Sequence, residues 1–140
     1  MDDWSHSKSW SADPSSVPDA RRFVRQCLAT HRHEISADED VTLVVSELAT
    51  NAVRHAGTPF SVTLASQGGT LLLTVQDASP ALPGEARMTP HALGGRGLRL
   101  VEAHSAAWGV EREHAGGKSV WASFDRVIPS MSSRDRLVEG

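Results

Sequence analysis

Only one cysteine, Cys27, occurs in the 140 residues, so no internal disulfide can form. A chain of this length buries an ordinary core without such a staple, and a lone thiol suits a reducing cytoplasm. A basic excess is also missing. The net charge is -3 at pH 7 and the pI about 6.1, which argues against nucleic acid as the main partner. No stretch approaches the ~18 consecutive apolar residues needed to span a bilayer, so no membrane partner is expected. Met1 to Lys8 holds two aspartates and no apolar run, so no secretory leader is expected either. Internal repeats and low-complexity tracts are absent. Hydrophobic residues make up 39% and charged residues 22%, the balance of a globular domain rather than a disordered chain.

The residues that are present divide the chain readily. Residues 1–15 are polar, with Trp4 and Trp10 the large apolar exceptions, and read as a partly flexible segment. The part near Trp10 has the makings of an edge strand. Pro18 suits a first helical turn, and Phe23, Val24, Cys27 and Leu28 recur at helical spacing as far as His31. Ser36 followed by Glu39 is a capping box for a second helix running from Ala37 to about His55, ended by Gly57 and Pro59. Phe60 to Ala65 and Leu71 to Asp77 read as strands joined by a Gly68-Gly69 turn. Ala78 to Gly95, with three prolines, reads as a long loop. A short helix from Leu98 to His104 and strands at Ala106 to Arg112 and Ser119 to Phe124 complete the folded part, residues 16–126. Residues 127–140 read as a flexible tail. The expected fold class is α+β, a two-layer sandwich with helices on one face of a mixed, mostly antiparallel sheet.

Four features carry chemistry. On the second helix, positions four apart drift by only ~40°, so Glu47, Asn51 and His55 share one stripe. Val41, Val45, Leu48 and Ala52 form the adjoining apolar stripe. A carboxamide oxygen is a hard ligand suited to Mg²⁺, and a nearby carboxylate can accept a proton. On spacing alone, a solvated polar face is the commoner reading. Gly94-Gly95-Arg96-Gly97 precedes a helix and reads equally as a hinge or as a phosphate cradle. Asp77 before Ser79-Pro80 is a turn aspartate or an acceptor for a purine amino group. Gly116-Gly117-Lys118-Ser119 reads as a hairpin turn. His31 and His33 have neither a cysteine partner nor a third ligand at useful spacing, so a metal site is not expected there and a surface role is. Trp108 and Trp121, in predicted strands, are expected in the core.

Taken in order, these signals resemble the GHKL superfamily of histidine kinases, gyrase-type ATPases and Hsp90. The chain is most similar to its small bacterial anti-sigma factor serine kinases, over about Ser16 to Phe124. SELATNAVRHAG resembles the family's N box, and GGRGLRLVEAHSAAWGVE and GGKSVWASF resemble its later part. The resemblance implies the Bergerat ATP-binding fold, with ATP and Mg²⁺ as cofactors. Asn51 would coordinate Mg²⁺, Glu47 would act as general base, His55 would line the phosphate side, and Asp77 would bind the adenine amino group. Gly95 and Gly97 would let the lid wrap the phosphates. Ser119 stands near a threonine that serves the adenine pocket in the family. Arg21 matches a first-helix arginine that grips a protein partner in some relatives.

The family's usual Asp-x-Gly-x-Gly is here Asp77-Ala78-Ser79-Pro80-Ala81, which removes both glycines and one backbone donor. This change bears on nucleotide affinity and turnover. Cations near the pocket are few, namely Arg54, Arg96, Arg99 and Lys118, so metal and backbone N–H groups must offset the triphosphate charge. The implied function is phosphorylation of a serine on an anti-sigma factor antagonist, sequestration of a sigma factor, or both. An ATP-gated binding module with little kinase activity is the alternative, and a domain that binds no nucleotide is the plainest one. Relatives often form homodimers, but no dimer surface is legible in the sequence.

Overall fold

A computed structural model of the chain describes residues 3–31, 38–79, 96–113 and 116–125. Five strands form one open sheet in the order β1-β2-β3-β5-β4, and every pairing is antiparallel. The strands are β1 (Trp4–Trp10), β2 (Phe60–Gln67), β3 (Thr70–Asp77), β4 (Ala107–Arg112) and β5 (Lys118–Asp125). Three helices, α1 (Ser16–Thr30), α2 (Asp38–Asn51) and α3 (Arg96–His104), pack on one face. The fold is therefore the expected α+β two-layer arrangement, with a sheet wholly antiparallel among the described residues.

Alternation decides which face of the sheet is buried. Phe60, Val62 and Leu64 on β2, Leu71, Leu73 and Val75 on β3, and Ala122 and Phe124 on β5 all point at the helices and are buried. From the other side come Ala20, Val24 and Leu28 of α1, Val41, Val44, Val45, Leu48 and Ala49 of α2, and Leu98 and Val101 of α3. Cys27 belongs to the same core, and burial pushes its thiol up from the ordinary value. The outward face is Ser- and Thr-rich. Trp121 lies on that face rather than in the core, because strand alternation puts it opposite Val120 and Ala122. It covers Gly109 of β4, where an added Cβ would stand 2.8 Å from the indole.

Two elements differ from the sequence reading. The edge strand begins as early as Trp4, because its residues meet the end of α1. Trp4 stacks on His31 at 4.0 Å, His6 Nε2 lies 3.3 Å from His31 Nε2, and Trp10 meets Phe23 and Phe60. The second helix does not stay α-helical to His55. After Asn51 it widens into one π-helical turn, Ala52–Ala56, closed by the Gly57 N–H bonding the Ala52 carbonyl at 3.2 Å. Gly57 has φ 66°, a left-handed cap that a side chain would disfavour. Ser36, the expected cap of α2, lies outside the described residues, as do the loop from Pro80 and the tail from Arg126. Among the described residues, no helix is long and apolar enough to cross a membrane.

Leu73 sits fully buried on a strand with a neighbour on each side. Leu73→Ala is expected to lower the unfolding free energy by about 2–5 kcal/mol, read by urea denaturation followed by circular dichroism.

Candidate functional site

The helix-facing residue at the end of β3 is Asp77, and the first residue of β5 is Lys118. Register places them directly opposite each other. Both side chains point toward the helices, and Lys118 Nζ donates to Asp77 Oδ2 at 2.7 Å. The side chains are only 7% and 4% exposed for the lysine and aspartate. A charge this deep needs a partner, since taking either ion out of water alone costs several kcal/mol. The other carboxylate oxygen, Oδ1, accepts the Ser79 N–H at 2.9 Å, an Asx turn of the kind aspartate forms before a loop. Thr58 Oγ1 accepts the Ala78 N–H at 3.0 Å, tying the same strand end to the chain before β2.

Gly117 completes this clasp. A Cβ there would stand 2.1 Å from the Asp77 carbonyl oxygen, so the hairpin between β4 and β5 can approach β3 this closely only without a side chain. The two motifs read separately in the sequence, Asp77-Ala78-Ser79 and Gly116-Gly117-Lys118-Ser119, are therefore one structure.

A narrow crevice opens from this pair. It is tight, with a cavity volume of about 20 Å³, room for roughly one water. Leu48, Asn51, Ala52 and His55 line it from α2 and the π turn, Val75 and Asp77 from β3, Leu98 from α3, and Lys118 and Val120 from β5. Of its polar lining residues, Asp77 and Lys118 are buried, Asn51 is half-buried and His55 is exposed. Apolar walls with a few polar groups are the usual composition of a small-molecule site.

The structure brings Asn51, His55 and Asp77 together in this crevice. Glu47 is half-buried one turn before Asn51 and is not among the lining residues. Gly97 is the second residue of α3, and Gly95 lies outside the described residues. Ser119 points away. With Lys118 and Val120 facing the helices, alternation sends Ser119 to the opposite face, where its hydroxyl donates to Glu113 Oε2 at 2.5 Å. Arg21 lies elsewhere, in a wider cleft between α1 and α2 lined also by Arg25, Asp38 and Thr42. Its Nε donates to Ser46 Oγ at 2.8 Å.

The sequence places Lys118 only among the few cations near the pocket, whereas the structure buries it against Asp77. The signal was there: Val120, Ala122 and Phe124 alternate as apolar residues, and continuing that parity back two positions puts Lys118 on the buried face.

The profile of the histidine kinase-like ATPase domain matches residues 10–124. The chain belongs to the histidine kinase-like ATPase family. Among solved structures, the RsbU and RsbW domains of Rv1364c from Mycobacterium tuberculosis superpose on this ATPase domain with a TM-score of 0.63 at 19% identity. That match covers 88% of this chain and 32% of the other, so the chain spans about a third of its length. The SiaB–SiaC complex from Pseudomonas aeruginosa contains a chain with a TM-score of 0.64 at 15% identity, covering 85% of this chain and 88% of that one. These likenesses show a shared fold. No curated relative matches significantly.

Membership makes ATP the nucleotide to test against the crevice. The donor set fits an adenine nucleotide with Mg²⁺: Asn51 offers one hard oxygen, Asp77 an acceptor, and the walls are apolar. Among the described residues no three His, Cys, Asp or Glu side chains gather to cage a metal.

Two stability measurements test the clasp. Gly117→Ala is expected to cost about 1–3 kcal/mol, as overpacking does, in a denaturant titration. Lys118→Met, which strands the Asp77 charge, is expected to cost about 3–5 kcal/mol. In a double-mutant cycle, adding Asp77→Leu recovers part of that loss.

Proposed function

We propose that this histidine kinase-like ATPase domain binds Mg-ATP in the crevice and works as a partner switch of the anti-sigma factor type. In that reading it phosphorylates a serine on a protein antagonist, sequesters a sigma factor, or does both. The observation that carries the reading is the convergence of Asn51, His55 and Asp77 on one crevice in a chain of this family. When bound, Mg-ATP would supply the transferable phosphoryl group and a cation to offset its charge.

Each residue then has a task. The Asn51 carboxamide oxygen would hold the cation. Asp77 accepts from the amino group of the base at the buried end, and His55 faces the phosphates at the exposed end. The Gly97 N–H, at the start of α3, favours negative charge as helix N-termini do, and Gly95 would let the lid wrap the phosphates. Glu47, one turn from Asn51, takes the proton of an incoming serine hydroxyl. Arg21 keeps guanidinium donors beyond its bond to Ser46 for a protein partner. Ser119 gets no contact with the nucleotide, since it lies on the far face of the sheet.

A second reading, an ATP-gated binding module with little catalysis, is favoured by one fact: Glu47 does not line the crevice. Incubation with labelled ATP and an antagonist protein separates the two readings. Label on an antagonist serine supports the kinase. Sigma-factor binding without label supports the module.

Asn51→Ala is expected to remove the thermal stabilisation by Mg-ATP, which for the parent protein amounts to ~2.7 kcal/mol at 100 times the Kd. Glu47→Ala is expected to keep that stabilisation and to lose label transfer. An unshifted melting curve of the parent protein at saturating Mg-ATP would remove the nucleotide reading altogether.

A further inference from the structure

We infer that Lys118 reads the base of the nucleotide, donating to N1 of adenine while Asp77 accepts from the N6 amino group. The inference rests on the crevice being the nucleotide site proposed above.

Hydrogen-bond capacity is the starting point. An ammonium carries three protons and no acceptor. Lys118 is 5% exposed, and among the described residues its one hydrogen-bond partner is Asp77. Two protons on a buried cation thus remain to be satisfied at a surface of the crevice. A carboxylate offers about four lone-pair sites. Asp77 uses one on Oδ2 for Lys118 and one on Oδ1 for the Ser79 N–H, which leaves two. The inner end of the crevice therefore presents spare donors and spare acceptors side by side, 2.7 Å apart.

The walls choose the kind of molecule. Leu48, Ala52, Val75, Leu98 and Val120 are apolar and line the crevice around the pair. A flat heterocycle with neighbouring donor and acceptor atoms on one edge satisfies both walls and pair. Adenine has that edge, with a donor amino group at position 6 and an acceptor nitrogen at position 1. A carboxylate alone could take the amino group but would leave N1 without a partner, a loss that a dry site penalises. Guanine carries the two roles reversed, an acceptor at position 6 and a donor at position 1. With the base held in one orientation by the phosphate end, the pair favours one purine over the other.

Strand geometry makes the assignment specific to this residue. Lys118 lies directly opposite Asp77 in the β3–β5 register and is held there by the Gly117 approach. Arg112, Lys118's neighbour across β4, is exposed and is not among the crevice residues.

Calorimetric titration of the full chain with Mg²⁺ and a set of nucleoside diphosphates tests the idea. The probes are ADP, 1-deaza-ADP, which has a C–H in place of N1, purine riboside diphosphate, which lacks the amino group, and GDP. A hydrogen bond to a charged group predicts about 10- to 100-fold weaker binding of 1-deaza-ADP than of ADP. Purine riboside diphosphate should lose by a similar factor through Asp77, and GDP should bind more weakly than ADP. In Lys118→Met the ADP affinity should fall and the gap between ADP and 1-deaza-ADP should close. Equal binding of ADP and 1-deaza-ADP by the parent protein overturns the role of Lys118 while leaving the nucleotide site intact. So does an unchanged gap in Lys118→Met. The analogue series on the parent protein decides the matter even where the variant does not fold. If the parent protein binds no adenine nucleotide, the function proposed above fails, and this role for Lys118 fails with it.

Discussion

An ammonium and a carboxylate buried 2.7 Å apart at the ends of β3 and β5 dictate much of what surrounds them. Each charge is tolerable only beside the other. The strands must therefore hold register to the last residue, the hairpin must come close enough to require Gly117, and the backbone after Asp77 must turn at once. Two apolar side chains would close this end of the sheet at least as well, since a buried ion pair gains little net stability over its hydrophobic equivalent. What an ion pair adds is directional chemistry inside an otherwise greasy slot. That chemistry is what the nucleotide site proposed above would use.

The rest of the crevice grades from this dry end to water. Asn51 is half-buried and His55 exposed, so polar groups become more accessible toward the mouth. A ligand with a flat apolar head and an anionic tail matches that gradient. The π turn at Ala52–Ala56 belongs to the same arrangement. It lets the chain leave α2 early, through Gly57, while His55 still faces the crevice. Wide turns of this type recur at functional sites because they re-aim a side chain without breaking the helix.

Much of the layout was legible in the sequence, for identifiable reasons. Helical spacing in Val41, Val45, Leu48 and Ala52 gave the buried stripe of α2, and these residues are buried. Alternation in Leu71, Leu73 and Val75 gave β3 and its buried face. What the sequence hid depended on contacts between distant segments. Trp4 looks like part of a polar tail until the end of α1 brings His31 against it. Trp121 was expected in the core on residue type alone, but parity with its neighbours sends it to the open face. The same parity removes Ser119 from the crevice and brings Lys118 in. Strand pairing is what joins the Asp77 and Lys118 motifs, 41 positions apart, and no local pattern states a register.

Helix α2 serves two hollows at once. Its residues Leu48 and Asn51 form part of a wall of the crevice, while Asp38, Thr42 and Ser46 form a wall of the cleft that holds Arg21. At ~100° per residue these two sets fall on opposite sides of the same rod. What occupies one hollow therefore meets the same rod that walls the other.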